Sequence, residues 1–263
     1  MSTEEDFEQY LGSYIGEDQY IALLLDYDGT LAEIPDRPEL SVIPPETKKV
    51  LYNLVNSGKV FVAIISGRSL EDLRGKVGID NVIYSGNLGL EILLPDGTRH
   101  NQTISEETAN NFEKMIDHLT KEVAHNGAWI QNKQIAITLH YREMNPELVP
   151  ELLVKANQII KGYGYQTHAA HNALEVNPPI EWNKGLAAEL ILRTSFDENW
   201  KRRKVIFAGD DTPDEDVMKV IKGFGKSFRI TRGVDVVTNA DFKILSVQSV
   251  FLMLKWIEKK MCK

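Results

Sequence analysis

The feature that most constrains the fold is a series of short apolar runs, each separated from the next by a helical segment. Three such runs are IALLL at 21–25, VFVAII at 60–65 and KVIFAG at 204–209. Runs of this length without polar alternation are typical of strands buried on both faces of a parallel sheet. Between the first two runs, Val50, Leu51, Leu54 and Val55 share one helical face. This strand–helix–strand rhythm predicts the α/β class, with a doubly wound, mostly parallel, Rossmann-like sheet.

The middle of the chain has a different pattern. Ser105 is expected to cap a helix that runs to about residue 124, and QIAITLHYR at 134–142 alternates apolar with polar residues. That alternation predicts a half-exposed strand of an antiparallel sheet, followed by a helix near 147–161 and further strands up to residue 176. We therefore predict a core domain formed by 1–102 and 178–263, with an inserted α+β domain at 103–177.

Composition narrows the class of protein. The formal net charge is −8, which disfavours binding to nucleic acid or to an anionic membrane. No apolar run approaches the roughly 20 residues that span a bilayer, and the first ten residues are acidic and polar, unlike a signal peptide. Cys262 is the one cysteine, so an internal disulfide and a cysteine zinc site are excluded. We expect a soluble cytoplasmic protein; the sequence does not predict its oligomeric state.

Polar side chains follow the predicted strands. Asp26 and Asp28 come after the first apolar run, in LLLDYDGTLA, and Ser66 comes after the second. Asp210 ends the KVIFAG run, and Lys184 opens a predicted helix. Ligands of open α/β sheets bind at the carboxyl ends of the strands, and carboxylates this close together require a neutralising cation. No G-x-G-x-x-G follows the first strand, so a dinucleotide-binding protein is not expected.

The order of DxDGT, SGR, a lysine and GDD along the chain resembles the haloacid dehalogenase superfamily of phosphatases. The resemblance implies that Asp26 is the nucleophile and Asp28 the general acid and base. It implies that Ser66 and Lys184 hold the phosphoryl group. It also implies a Mg²⁺ site that is formed by the carboxylates of Asp26 and Asp210 and the carbonyl of Asp28.

The residue types suit these roles. A carboxylate can attack phosphorus to form an aspartyl-phosphate, and phosphoryl transfer requires mainly positioning and charge neutralisation. Mg²⁺ prefers oxygen ligands, and the side chain of Asp28 can protonate a leaving oxygen and later accept a proton from water. Ser66 and the amide of Gly67 are expected to form a small anion-binding turn. Thr30 is expected to bond the carboxylates or to cap the segment that follows. Asp211 and Asp214 are expected to orient the metal ligands rather than to bind the metal.

Four longer stretches resemble the trehalose-6-phosphate phosphatase family in particular: SGNLGLEI at 85–92, NKQIAITLHYR at 132–142, LEVNPPIEWNKG at 174–185 and GDDTPDED at 209–216. The resemblance implies hydrolysis of trehalose 6-phosphate, and it makes the inserted domain a cap that closes over the sugar. It places Asn87 near the phosphate and Arg68 at the border of the phosphate pocket. Lys133 and Glu175 would bind sugar hydroxyls from the cap.

The sequence leaves alternatives open on the sugar side. Leu88, Pro213 and Asn177 stand where the family usually has histidine, threonine and arginine. Another phosphorylated sugar, of the sucrose-phosphate or mannosyl-phosphoglycerate type, is therefore an alternative substrate. Lys133 could instead be a charge at a hairpin tip and Glu175 a surface residue. A non-catalytic regulatory module is a further alternative, although every residue that the chemistry requires is present.

Overall fold

The structure is a computed structural model that describes residues 4–16, 20–170 and 172–262. The chain divides into two compact units. Met1–Asn101 and Trp182–Lys263 form the first, here called the core unit, and Gln102–Glu181 forms the second, the inserted unit. This division places residue 102 and residues 178–181 in the inserted unit rather than in the core.

The core unit contains an eight-stranded sheet, with strands and helices numbered along the whole chain. Its strands are β1 (Ile21–Leu25), β2 (Val60–Ile65), β3 (Ile83–Gly86), β4 (Glu91–Leu93), β5 (Arg99–Asn101), β10 (Lys204–Gly209), β11 (Lys226–Ile230) and β12 (Phe242–Ile244). Their spatial order is β12-β11-β10-β1-β2-β3-β4-β5. The strands from β12 to β3 pair in parallel, and β4 is antiparallel both to β3 and to β5. The predicted doubly wound, mostly parallel sheet is confirmed.

Helices cover both faces of this sheet. They are α1 (Glu4–Leu11), α2 (Pro45–Asn56), α3 (Leu70–Val77), α6 (Lys184–Phe196), α7 (Asp214–Ile221) and α8 (Val247–Met261). Alternate residues of β1 point to opposite faces: Leu23 packs in a cluster with residues of α1, α2, α3 and α8, and Leu24 in a cluster with residues of α6 and α7. Every side chain of β1 is buried, which explains why the run has no polar alternation.

The inserted unit is an antiparallel sheet with two helices, as the α+β prediction requires. Its strands β6 (Trp129–Asn132), β7 (Ile137–His140), β8 (Gln166–Ala170) and β9 (Ala173–Asn177) lie in the order β6-β7-β9-β8. The helices are α4 (Glu106–Glu122) and α5 (Val149–Gly162). Ser105 caps α4, since its hydroxyl oxygen accepts a hydrogen bond from the amide of Thr108. Leu139 and Val176 form part of the hydrophobic core with residues of α4 and α5.

The prediction of a half-exposed strand at 134–142 is wrong. Strand β7 has four residues, and all of them are buried. On its polar face, Thr138 donates a hydrogen bond to Glu175, and the ring of His140 stacks on Trp129 at 4.0 Å between centroids. His140 also hydrogen-bonds Gln131 at 3.0 Å. The polar residues are buried because neighbouring strands supply their partners, a long-range effect that periodicity does not reveal.

The order of the strands creates the crevice of the core unit. From β1 the chain continues to β2 on one side, and β10 pairs with β1 on the other side. The amide of Asp26 donates to the carbonyl of Ala208 at 3.0 Å, so the two strands end side by side. The loops that follow β1 and β10 therefore leave the sheet at its topological switch point, where α/β proteins bind ligands.

Candidate active site

The centre of the site is a buried ion pair between the first strand and α6. Lys184 Nζ lies 2.7 Å from Asp26 Oδ1 and 2.8 Å from Asp214 Oδ1. Asn183 caps α6 by accepting the amide of Leu186, which fixes Lys184 in the first turn. Burial by itself would lower the pKa of Lys184, but the carboxylates of Asp214 and Asp26 outweigh it and raise that pKa. The lysine is therefore a permanent cation next to Asp26.

Asp26, Asp210 and Asp214 form a cluster of carboxylates. One oxygen from each lies within 4.8 Å of the others. Burial raises the pKa of Asp26 well above its usual range; Lys184 opposes this, and Asp214 and Asp210 add to it. Burial, followed by repulsion from Asp214, raises the pKa of Asp210 to about 7. These oxygens suit a hard divalent cation, which would favour the ionised form of both acids.

Two glycines make room for this cluster. Gly29 has a φ of +75°, and a Cβ there would overlap Oδ2 of Asp210 and Nη2 of Arg232. A Cβ on Gly209 would overlap the carboxylate of Asp214. That carboxylate accepts the amides of Asp210 and Asp211 at 2.9 Å each, and therefore shapes the loop that follows β10. Both glycines are required by close approach rather than by flexibility.

The carboxylate of Asp28 lies outside the cluster of three acids and is held by Arg68. Nε of Arg68 lies 2.7 Å from Oδ2 of Asp28, and Nη2 lies 2.7 Å from Oδ1. Arg68 also donates to Asp72 at 2.6 Å and to the carbonyl of Pro38 at 2.8 Å. The family resemblance places Arg68 at the border of the phosphate pocket; in the structure, most of its guanidinium donors bind protein groups. The hydroxyl of Ser41 donates a further hydrogen bond to Asp28 at 3.1 Å.

The residues after β2 and β3 lie next to each other. The amide of Ser66 donates to the carbonyl of Ser85 at 2.9 Å, and the hydroxyl oxygen of Ser66 accepts the amide of Arg68 at 3.1 Å. Gly67 lies between them in the turn that leads into α3. Asn87 is buried, its amide donates to the carbonyl of Arg68 at 2.7 Å, and its side chain donates to Glu91 at 2.7 Å. Asn87 thus connects the end of β3 to the SGR turn.

One expected contact, that of Thr30, is absent among the described residues. The hydroxyl of Thr30 is buried and has no hydrogen-bond partner among the described residues, so it does not bond the carboxylates. The carboxylate of Asp211 accepts the neighbouring amide of Thr212 at 2.7 Å and is not part of the cluster of acids. By contrast, Asp214 is fully buried and lies inside that cluster. Asp214 is placed to orient the loop that carries Asp210, and the role of Asp211 in orienting metal ligands stays a prediction.

In the inserted unit, Lys133 and Glu175 form a buried ion pair. Nζ of Lys133 lies 3.2 Å from both carboxylate oxygens of Glu175, and Thr138 donates to the same carboxylate at 3.0 Å. Lys133 is 6 % exposed, so it is not a solvated charge at a hairpin tip. The pair combines donors and acceptors that can bind hydroxyl groups.

Sequence reasoning missed two arginines near the site. Arg232, in the turn after β11, places Nη2 2.6 Å from Oδ2 of Asp210. Arg229, on β11, donates to the carbonyl of Asp211 and lies 3.5 Å from Glu215. No motif marked them, because their partners lie far away along the chain, on the loop that follows β10 and in the first turn of α7. The position of Arg229 at the end of a strand was the one available signal.

The sheet order, the placement of Asp26, Ser66 and Asp210 after the carboxyl ends of its strands, and Lys184 in the first turn of α6 define the fold of the haloacid dehalogenase superfamily. Two solved structures share this fold. A trehalose-6-phosphate phosphatase related protein matches with a TM-score of 0.77 and 23 % identity, over 90 % of this chain and 97 % of its own. The C-terminal domain of the Candida albicans trehalose-6-phosphate phosphatase matches with a TM-score of 0.79 and 20 % identity, over 98 % and 97 % of the two chains.

Within that superfamily, the chain belongs to the trehalose-phosphatase family, whose sequence profile matches residues 24–247. The probable trehalose-phosphate phosphatase J of Arabidopsis thaliana is 30 % identical over 80 % of this chain. The match covers 59 % of that relative's length, so this chain spans about three fifths of it. No helix in the described ranges combines the length and the apolar character that crossing a membrane requires.

Proposed function

We propose that this chain hydrolyses trehalose 6-phosphate to trehalose and phosphate, with Mg²⁺ as the cofactor and an aspartyl-phosphate on Asp26 as the intermediate. The observation that carries the proposal is the 2.7 Å contact between Lys184 Nζ and Asp26 Oδ1 within a cluster of three carboxylates. It combines a candidate nucleophile, a fixed cation and oxygen donors for a metal at one crevice. Membership of the trehalose-phosphatase family supports the choice of sugar.

Asp26 and Asp210, with the carbonyl of Asp28, would hold Mg²⁺, and Asp214 would orient the loop that carries Asp210. The donor set fits, because it consists of oxygens and because burial and repulsion from Asp214 raise the pKa of both Asp26 and Asp210, which a divalent cation would offset. When bound, Mg²⁺ would neutralise charge on the phosphoryl oxygens and on the nucleophile.

In the first step, a carboxylate oxygen of Asp26 attacks phosphorus, and the bond between phosphorus and the sugar oxygen breaks. Lys184 balances the charge of the pentavalent arrangement, and the hydroxyl of Ser66 with the amide of Gly67 binds phosphoryl oxygens. Asp28 enters this step protonated, gives its proton to the departing sugar oxygen, and ends the step as the carboxylate that Arg68 binds. The products of this step are free trehalose and phosphorylated Asp26.

In the second step, water attacks phosphorus and Asp28 accepts a proton from it. The bond between phosphorus and Asp26 breaks, which releases phosphate and restores the carboxylate. Arg68 keeps the Asp28 carboxylate in one orientation for both proton transfers, since it binds both oxygens. Lys133 and Glu175 of the inserted unit bind sugar hydroxyls, and Asn87 supports the turn that holds the phosphate.

The substrate is tested by phosphate release from a panel that contains trehalose 6-phosphate, sucrose 6-phosphate, mannosyl-phosphoglycerate and glucose 6-phosphate. We expect trehalose 6-phosphate to have the highest kcat/KM. A higher value for another sugar phosphate would retain the mechanism but change the substrate. Leu88 and Asn177 are a reason to test this outcome, because they differ from the residues usual in the family.

The metal is tested by chelation. Removal of divalent metal is expected to stop turnover, and added Mg²⁺ is expected to restore it. Full activity after exhaustive chelation would refute the metal role.

A further inference from the structure

Arg232 forms an ion pair with the carboxylate of Asp210, which is one of the proposed metal ligands. Its Nη2 lies 2.6 Å from Oδ2 of Asp210, and its guanidinium fits against Gly29, where a Cβ would overlap it. The Asp210 side chain is 7 % exposed and that of Arg232 is 37 % exposed. The arginine therefore reaches from the protein surface into the side of the acid cluster that faces the Asp28–Gly29 peptide.

The contact balances the negative charge of Asp210 within the cluster of carboxylates. Among the described residues, Lys184 contacts Asp26 and Asp214 but not Asp210. Arg232 supplies the cation for Asp210, and it opposes the rise in the pKa of that acid that burial and Asp214 cause. Without the arginine, Asp210 would be a buried carboxylate next to a second carboxylate with no cation of its own.

The turn that carries Arg232 follows β11 and has an uncommon backbone conformation. The amide of Val234 donates to the carbonyl of Thr231 at 2.9 Å, which closes a tight turn. Arg232 and Gly233, the central residues of that turn, have φ angles of +51° and +82°. A non-glycine residue in the left-handed region is uncommon, and the residue in that conformation here is the one whose guanidinium contacts Asp210.

We propose that Arg232 is an exchangeable counter-ion of Asp210, which neutralises that carboxylate in the metal-free protein and competes with a divalent cation for it. A divalent cation on Asp210 and a guanidinium on the same carboxylate repel each other, so the metal binds as the arginine withdraws. Its exposure permits withdrawal, whereas Lys184 is buried and remains with Asp26. This inference rests on the metal site of the proposed function.

The test is calorimetric titration of the full-length, metal-free protein with Mg²⁺ alone, without substrate. Arg232→Gln removes the competing cation, so this variant is expected to bind Mg²⁺ more tightly than the unmodified protein. For an ion pair of this exposure, the expected decrease in Kd is about threefold to fivefold. Arg232→Lys retains a cation and is expected to bind Mg²⁺ about as the unmodified protein does. Arg193→Gln is the matched control, because it removes the same charge from an ion pair with Glu189 on the surface of α6.

A second measurement separates the effect on the metal from an effect on folding. In the metal-free state, Arg232→Gln is expected to melt at a lower temperature than Arg193→Gln, and Mg²⁺ is expected to raise its Tm more than it raises that of the unmodified protein. If the unmodified protein binds Mg²⁺ and Arg232→Gln binds it equally or more weakly, the inference is wrong and the proposed function stands. If neither protein binds Mg²⁺, the proposed metal site is wrong and the inference falls with it.

Discussion

Arg68 grips the carboxylate of Asp28 with two parallel hydrogen bonds, Nε to Oδ2 and Nη2 to Oδ1, each 2.7 Å long. The arginine is 7 % exposed, and its Cζ lies 5.0 Å from the centre of the Tyr27 ring. A bidentate pair of this kind fixes the plane of the carboxylate as well as its charge. Arg68 is therefore a positioning residue for Asp28, which lies two residues after the proposed nucleophile, Asp26.

Replacement of Arg68 by glutamine tests this relationship. A sugar alkoxide needs a proton to leave, whereas p-nitrophenolate does not, so the variant should slow phosphorylation by trehalose 6-phosphate about 100-fold. The pre-steady-state burst of p-nitrophenol from p-nitrophenyl phosphate should change far less. Rapid-quench kinetics with both substrates measures the difference, and Arg74→Gln on the exposed side of α3 is the control. An equal loss with both substrates would mean that Arg68 acts on the phosphoryl group instead.

Asp214 is expected to contribute to stability as well as to the site. It is fully buried, pairs with Lys184 and accepts two backbone amides. Asp214→Asn cannot satisfy all of these donors, so it should lower the free energy of unfolding by about 3 kcal/mol. Urea denaturation monitored by circular dichroism gives the value. Asp216→Asn, which breaks a more exposed pair with Lys219 on the same helix, should cost less than about 1 kcal/mol; similar losses would contradict the assignment.

Mg²⁺ affinity should depend on pH. Burial and Asp214 raise the pKa of Asp210 to about 7, so in the metal-free protein a falling pH protonates this acid over a range in which ordinary aspartates stay ionised. The metal must then displace a proton from Asp210, so its affinity should fall by about tenfold or more for each pH unit below that pKa. Titration in two buffers of different ionisation enthalpy measures the released protons. An affinity that is constant from about pH 5.5 to 8 would contradict a raised pKa.

Glu175 is expected to affect sugar binding more than chemistry. Glu175→Gln should raise KM for trehalose 6-phosphate by about tenfold, the loss expected for hydrogen bonds to one charged group, and leave KM for p-nitrophenyl phosphate unchanged. Steady-state kinetics with the two substrates separates these effects. Glu122→Gln removes an exposed ion pair with Lys155 from the same unit and should change neither KM. A matching rise in both constants would assign Glu175 to the integrity of the unit.

Local patterns predicted much of the core unit. The strands at 60–65 and 204–209 have the predicted ends, and α6 begins at Lys184, because buried apolar runs and an Asn cap are local signals. Helix α1 was not predicted, since EEDFEQYL has only three apolar or aromatic residues besides its charges. Phe7 and Leu11 nevertheless bury completely against the sheet, a contact with residues more than 200 positions away.

In the candidate site, too, local patterns predicted some residues, and contacts between distant parts of the chain were not predicted. Motif spacing identified Asp26, Ser66, Lys184 and Asp210, which the sheet brings to one edge. It did not predict that Arg68 holds Asp28 or that Arg232 reaches Asp210, because both contacts depend on side-chain directions set by turns far away in sequence. Asp28 and Asp26 are two residues apart, yet their carboxylates have separate partners, Arg68 and Lys184. Repulsion between the two acids is thus relieved partly by cations of the chain itself.

Reductive trapping of the phosphorylated enzyme tests most directly whether Asp26 is the nucleophile. Borohydride reduces an acyl phosphate to an alcohol, so an aspartyl-phosphate quenched during turnover of trehalose 6-phosphate becomes homoserine. Mass spectrometry of the peptide that contains LLLDYDGTLA is predicted to show homoserine at position 26, dependent on substrate and absent from Asp26→Asn. Sustained turnover by Asp26→Asn, or trapping at another residue, would contradict the account.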